Sequence, residues 1–149
     1  MGEKTQKQKV GGFGEDEAVQ YLIKKGYKIV ERNHRQKWGE IDIITISPDK
    51  ILVFVEVKAI IASQKSGIHP VRGPLGHSGH AAVASERLTS NGIQPEDNLT
   101  WAKLKKLQRT CQLYANSHEN LVNERGWQID LVAIDVFESK CDFRHYENI

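Results

Sequence analysis

The chain has 149 residues, 39% hydrophobic and 27% charged, with 21 basic against 19 acidic side chains for a net charge of +2. That length suits one domain with a core of useful size, and the near-neutral balance neither demands nor excludes a nucleic-acid partner. No apolar run reaches the length of a membrane span, and the polar start MGEKTQKQKVGG lacks the apolar stretch of a signal peptide, so a cytoplasmic location without a membrane partner is expected.

Residues 1–10 read as a flexible basic tail, with Lys4, Lys7 and Lys9 crowded together. A helix is expected from Phe13 or Gly14 to Lys25, ended by Gly26. Ala18, Val19, Leu22 and Ile23 form its apolar stripe, and Glu15 falls on that stripe one turn before Val19. Glu15 is therefore either a helix-start acid facing the dipole or a carboxylate aimed at the core side. Tyr27–Arg32 reads as a strand, followed by a loop, Asn33–Gly39, rich in hydrogen-bonding and basic groups. Arg32, Asn33 and Arg35 are candidate nucleic-acid contacts there.

Two runs rich in Ile and Val, Glu40–Ser47 and Ile51–Ile61, flank Pro48-Asp49-Lys50 and read as a hairpin. With Pro48-Asp49-Lys50 as a three-residue loop, Ser47 pairs with Ile51, Asp42 lies opposite Glu56, and Glu40 lies opposite Lys58. An even loop would send Asp42 and Glu56 to opposite faces. Ile51–Val57 is apolar on both faces, which predicts a central strand covered on both sides. Two carboxylates opposed on such a strand, beside a lysine, suit a cation site better than a solvated surface hairpin.

Residues 63–80 are dense in Gly, Pro, Ser and His and read as a long loop; Ala81–Thr89 reads as a short helix and Ile93–Asn98 as a linker. A second long helix is expected from Asn98 or Thr100 to Ser117 or His118, with Trp101, Leu104, Leu107, Cys111 and Tyr114 toward the sheet. Lys103, Lys106 and Arg109 lie on its other faces, either as solvated charge or as contacts to a nucleic-acid backbone. Trp127–Phe137 is an internal strand interrupted by Asp130, which could join the site, cap an edge or pair with an arginine. Asp142–Tyr146 is an edge strand. This order predicts an α/β sandwich with a mixed sheet of about five strands flanked by helices.

The acids suggest a hard-cation site. Mg²⁺ or Mn²⁺ takes carboxylate and carbonyl oxygens plus water. Asp42, Glu56, the carbonyl of Val57 and Glu15 can supply them, with Lys58 to position a water or meet a phosphate, and Glu40 in support. Such a set suits phosphodiester hydrolysis. Cys111 and Cys141 offer neither a disulfide framework nor zinc spacing.

Asp42 followed by Glu56-Val57-Lys58 resembles the half-motif of the PD-(D/E)xK nuclease superfamily. Gly14-Glu15, Ala18, Tyr21-Leu22, Gly26-Tyr27, Arg32-Asn33, Gly39-Glu40-Ile41-Asp42 and Val53–Lys58 together resemble the bacterial YraN family, itself similar to archaeal Holliday junction resolvases. Asp130 falls where that family carries an aspartate. The resemblance implies a restriction-endonuclease-like three-layer sandwich over residues 11–149 with a long loop insertion at about 61–99. It also implies a Mg²⁺-dependent endonuclease acting on DNA by structure rather than sequence, branched DNA included, and by analogy a homodimer. Ile60 stands where family members usually carry arginine. The alternative is a non-catalytic nucleic-acid-binding module that keeps the fold.

Overall fold

The computed structural model describes residues 6–62 and 99–149. The loop expected at 63–80, the short helix Ala81–Thr89 and the linker Ile93–Asn98 lie outside the described residues. A helix, α1 (Gln6–Lys24), leads into three antiparallel strands, β1 (Lys28–Gln36), β2 (Gly39–Ile46) and β3 (Leu52–Ile61). A second helix, α2 (Trp101–Ser117), and a short 3₁₀ turn precede β4 (Trp127–Val136) and β5 (Cys141–Tyr146). The sheet order is β1-β2-β3-β4-β5, and only β3 and β4 run parallel. A parallel neighbour needs a long crossover, and α2 lies on the connection between those two strands.

The helices cover opposite faces. Ala18, Val19 and Leu22 of α1 pack on Ile43, Val53, Val55, Val57, Val132 and Ile134. Leu107, Cys111 and Tyr114 of α2 pack on Ile41, Ile44, Leu52, Phe54 and Ile129. The result is the expected three-layer α/β sandwich with a five-stranded mixed sheet. β3 is apolar on both faces because both helices cover it, as its unbroken run of buried residues from Leu52 to Val55 requires. No helix among the described residues is long and apolar enough to cross a membrane.

Two boundaries and one helix face differ from expectation. α1 begins at Gln6, so most of the expected tail from that residue on, with Gly11 and Gly12, is helical. Its end is as read: Gly26 adopts φ +85°, its N–H reaches the carbonyl of Ile23, and that of Tyr27 reaches Leu22. β1 continues through Asn33–Gln36, which pair with β2 as far as Gln36 opposite Gly39. Asn33–Gln36 are all polar, so although His34 is half-buried against Tyr114 the stretch passes for loop. Trp101 is 67% exposed rather than turned to the sheet, with Lys105 Nζ 5.2 Å from its ring centre. It sits about 120° around the helix from Leu107, off the buried stripe.

Candidate active site

The hairpin has the odd loop that the site requires. The Ser47 N–H donates to the Ile51 carbonyl at 2.9 Å, Lys50 takes φ +62°, and the ladder runs from Ile46 opposite Leu52 to Ile43 opposite Val55. There the ladder stops. Continuing that register would set Asp42 opposite Glu56 and would pair the peptide of Val57 with that of Ile41. Instead the Val57 N–H donates to Asp42 Oδ2 at 2.8 Å. Ile41 packs in the α2 layer and Ile43 in the α1 layer, although residues two apart on a regular strand share a face. So β2 parts from β3 at Asp42 while keeping its register with β1 to Gly39, and β3 stays paired with β4 to Ile61.

This parting opens a cavity of about 510 Å³ lined by Glu15, Glu40, Asp42, Glu56, Val57 and Lys58, with Lys103 and Lys106 of α2 on its wall. Within a strand, the N–H and C=O of one residue project to the same side. The Val57 carbonyl therefore faces the side on which Asp42 meets its N–H. Glu56 forms an ion pair with Lys58. Its charge also reaches the buried Cys111 thiol, whose pKa is raised first by burial and then by Glu56. Asp42 is half-buried, and its carboxyl is pushed up to about 7. Burial is the main cause, the Glu56 carboxylate adds to it, and the Val57 N–H and Lys58 oppose it, with a smaller rise from Glu15. A pair of acids of which one resists ionising until a cation arrives has the donor chemistry of a hard-metal site. Among the described residues no three His, Cys, Asp or Glu side chains form a ready-made cage. Mg²⁺ does not demand one: it commonly takes one or two carboxylates and completes its shell with water and substrate phosphate.

Glu15 reaches the cavity from mid-helix. Glu15 lies well inside α1 (Gln6–Lys24), beyond its first turn, so the helix-start reading of Glu15 falls. Its neighbour Gly14 sets the approach: a Cβ there would lie 2.4 Å from Ala59 Cβ on β3. Gly14→Ala should therefore destabilise the protein by about 1–3 kcal/mol by overpacking and lift Glu15 away from the cavity. Adding Ala59→Gly should restore most of the melting temperature; no loss in the single variant, or no recovery in the double, would contradict this packing. Gly39 plays a matching part against α2, since a Cβ there would lie 2.5 Å from Thr110 Oγ1. Thr110, buried and donating its hydroxyl to the Lys106 carbonyl at 2.9 Å, lines the cavity and carries no sequence signal beyond a polar residue in an apolar stripe.

The basic candidates divide. Lys103 and Lys106 line the acid cavity, whereas Arg109 lines another hollow. Arg32, Asn33 and Arg35 line a second, adjoining cavity of about 880 Å³. Arg32 is paired with Asp16 at 2.5 Å, and Arg35 lies 3.7 Å from Glu40. Asn33 takes φ +53°, a left-handed conformation that Asn tolerates better than most residues.

Asp130 does not join the site. Fully buried, it accepts hydrogen bonds from Gln128 Nε2 at 2.8 Å, from the backbone N–H of Asn148 at 3.0 Å and, at 2.9 Å, from His145 Nε2. Its partner is a histidine on β5 rather than an arginine, and its carboxylate is satisfied by structure. Nearby Tyr27 has its hydroxyl pushed up to about 12, by burial first and Asp130 second.

Residues 14–134 match the model of a family described as Uncharacterised protein family UPF0102. A UPF0102 protein of Campylobacter concisus is 35% identical over 83% of this chain and 81% of its own length. One of Alkaliphilus oremlandii is 32% identical over 94% of this chain and 96% of its own. One of Clostridioides difficile is 59% identical over a shorter stretch of 49 residues, 33% of this chain and 42% of its own. The chain belongs to the UPF0102 family, the YraN family of the sequence resemblance.

Proposed function

We propose that this protein is a metal-dependent endonuclease that hydrolyses phosphodiester bonds in DNA, branched or junction DNA included, with Mg²⁺ or Mn²⁺ as cofactor. The observation that carries the reading is the parting of β2 from β3, which gathers Asp42, Glu56, the Val57 peptide and Lys58 in one cavity walled by lysines. Asp42, Glu56 and the Val57 carbonyl would hold the cation, and Glu15 would approach it through water. A bound divalent cation supplies a Lewis acid and a water of lowered pKa. Lys58, half-buried beside Glu56, is placed to donate to the scissile phosphate and to stabilise charge gathering on it. Lys103 and Lys106 offer charge to the phosphates on either side. A homodimer would set two such sites on two strands.

The test is to incubate the purified protein with single-stranded, blunt duplex, nicked, flapped and four-way-junction DNA, with Mg²⁺, Mn²⁺ or chelator. Cleavage that needs the cation supports the proposal. One observation favours a second reading, a nucleic-acid-binding module without catalysis: Glu56 is already paired with Lys58. That reading predicts salt-sensitive DNA binding, indifferent to cation, and intact DNA in every lane.

A further inference from the structure

The second cavity adjoins the first, and Gly11 and Glu15 line both. Gly11 and Gly12 lie inside α1, where a glycine weakens a helix relative to alanine. Packing among the described residues does not ask for either: a Cβ at Gly11 or at Gly12 would meet none of them within 4 Å, and neither takes a positive φ. Gly14, by contrast, is required by Ala59. Two glycines that cost helix stability and face an open groove keep the backbone bare for something that comes close to it. The groove is lined by Lys9, Arg32 and Arg35, against the acids Glu15 and Asp16. Arg32 and Arg35 sit in exposed ion pairs of the weak kind, which a phosphate can replace at little cost. Phe13, 45% exposed, stands on the same wall. An exposed aromatic ring among cations holds a base by its face, and only an unpaired base has a face to offer.

We infer that this groove binds an unpaired stretch of the DNA strand running on from the acid cavity, its sugar-phosphate backbone passing over Gly11-Gly12 and a base resting on Phe13. The inference rests on the nuclease reading of the acid cavity and names the part of the substrate that reading leaves open: a single-stranded arm, flap or gap beside the cleavage position, rather than continuous duplex.

The experiment measures binding of a fluorescently labelled single-stranded oligonucleotide and of a blunt duplex of the same length, in chelator so that nothing is cut, together with melting temperatures. Phe13→Ala should weaken single-strand binding by about tenfold or more, the size of one lost stack, and duplex binding far less. Gly12→Ala should raise the melting temperature by about 2–4 °C and yet weaken single-strand binding, a pairing that a purely structural glycine would not give. Single-strand affinity unchanged in both variants, or duplex affinity falling equally, would overturn the inference. Cleavage by the wild type with single-strand affinity unchanged in both variants would remove the groove and keep the nuclease. Single-strand binding that behaves as described, with no cleavage of any substrate, would keep the groove and remove the nuclease.

Discussion

Asp42→Asn and Lys58→Ala should each reduce cation-dependent DNA cleavage by at least about 10³-fold without unfolding the protein. Asn is the informative replacement at position 42. Its side-chain carbonyl can still accept the Val57 N–H, so the parting of the strands is kept while the charge that would hold the cation is removed. Lys58→Ala leaves both carboxylates in place and removes the positive charge beside Glu56. Glu40→Gln should cost less than about tenfold, because Glu40 is exposed and faces Arg35 at 3.7 Å across the β1–β2 pair. Single-turnover rates on the best-cut substrate, with circular dichroism of each variant, check this ordering. A loss below tenfold for Asp42→Asn, or a greater loss for Glu40→Gln than for Lys58→Ala, would reassign the roles.

The second large effect is on stability, and its sign follows from Asp42. The Asp42 carboxyl stands at about 7 in the folded protein against 3.8 for an ordinary aspartate. Between those values the native state holds a proton that the unfolded chain has released, so stability falls as pH rises. The burden is absent below about pH 4 and complete above about pH 7, and a rise of that size corresponds to at most about 4 kcal/mol. Metal-free protein should therefore melt at a lower temperature at pH 8 than at pH 5. Asp42→Asn should flatten that slope and melt higher than wild type at pH 8. Millimolar Mg²⁺ should raise the wild-type melting temperature at pH 8 and leave Asp42→Asn unmoved, since binding to the native state alone stabilises it. Melting curves from pH 5 to 8 with and without Mg²⁺ check all three; a wild type more stable at pH 8 than at pH 5, with Asp42→Asn less stable still, would contradict the repulsion.

The site was legible as far as strand register reaches. Pro48-Asp49-Lys50 is a loop of odd length, and that parity sets the register from Ser47–Ile51 to Ile43–Val55 whose continuation would put Asp42 across from Glu56. What parity could not reveal is that β2 parts from β3 at Asp42, because Gly39–Ile46 contains no residue that marks the end of the ladder. The parting is tertiary: the Asp42 carboxylate captures the N–H that the ladder would have used. The start of α1 was hidden because Gly11-Gly12 reads as a helix break, and β1 beyond Arg32 because Asn33–Gln36 are all polar. Asp130 was misleading for a different reason. An acid in an apolar strand announces a partner, but the partner of Asp130, His145, sits on the next strand, and only pairing of β4 with β5 brings the two together.

On the proposed function, Asp42 and Glu56 together hold a divalent cation. Titration of the purified protein with Mn²⁺, followed by electron paramagnetic resonance of the free ion, tests it without reference to any substrate. The account predicts saturable binding of a single Mn²⁺ per chain, lost in Asp42→Asn and in Glu56→Gln and kept in Lys58→Ala. No saturable binding, or binding that survives both carboxylate substitutions, would contradict it.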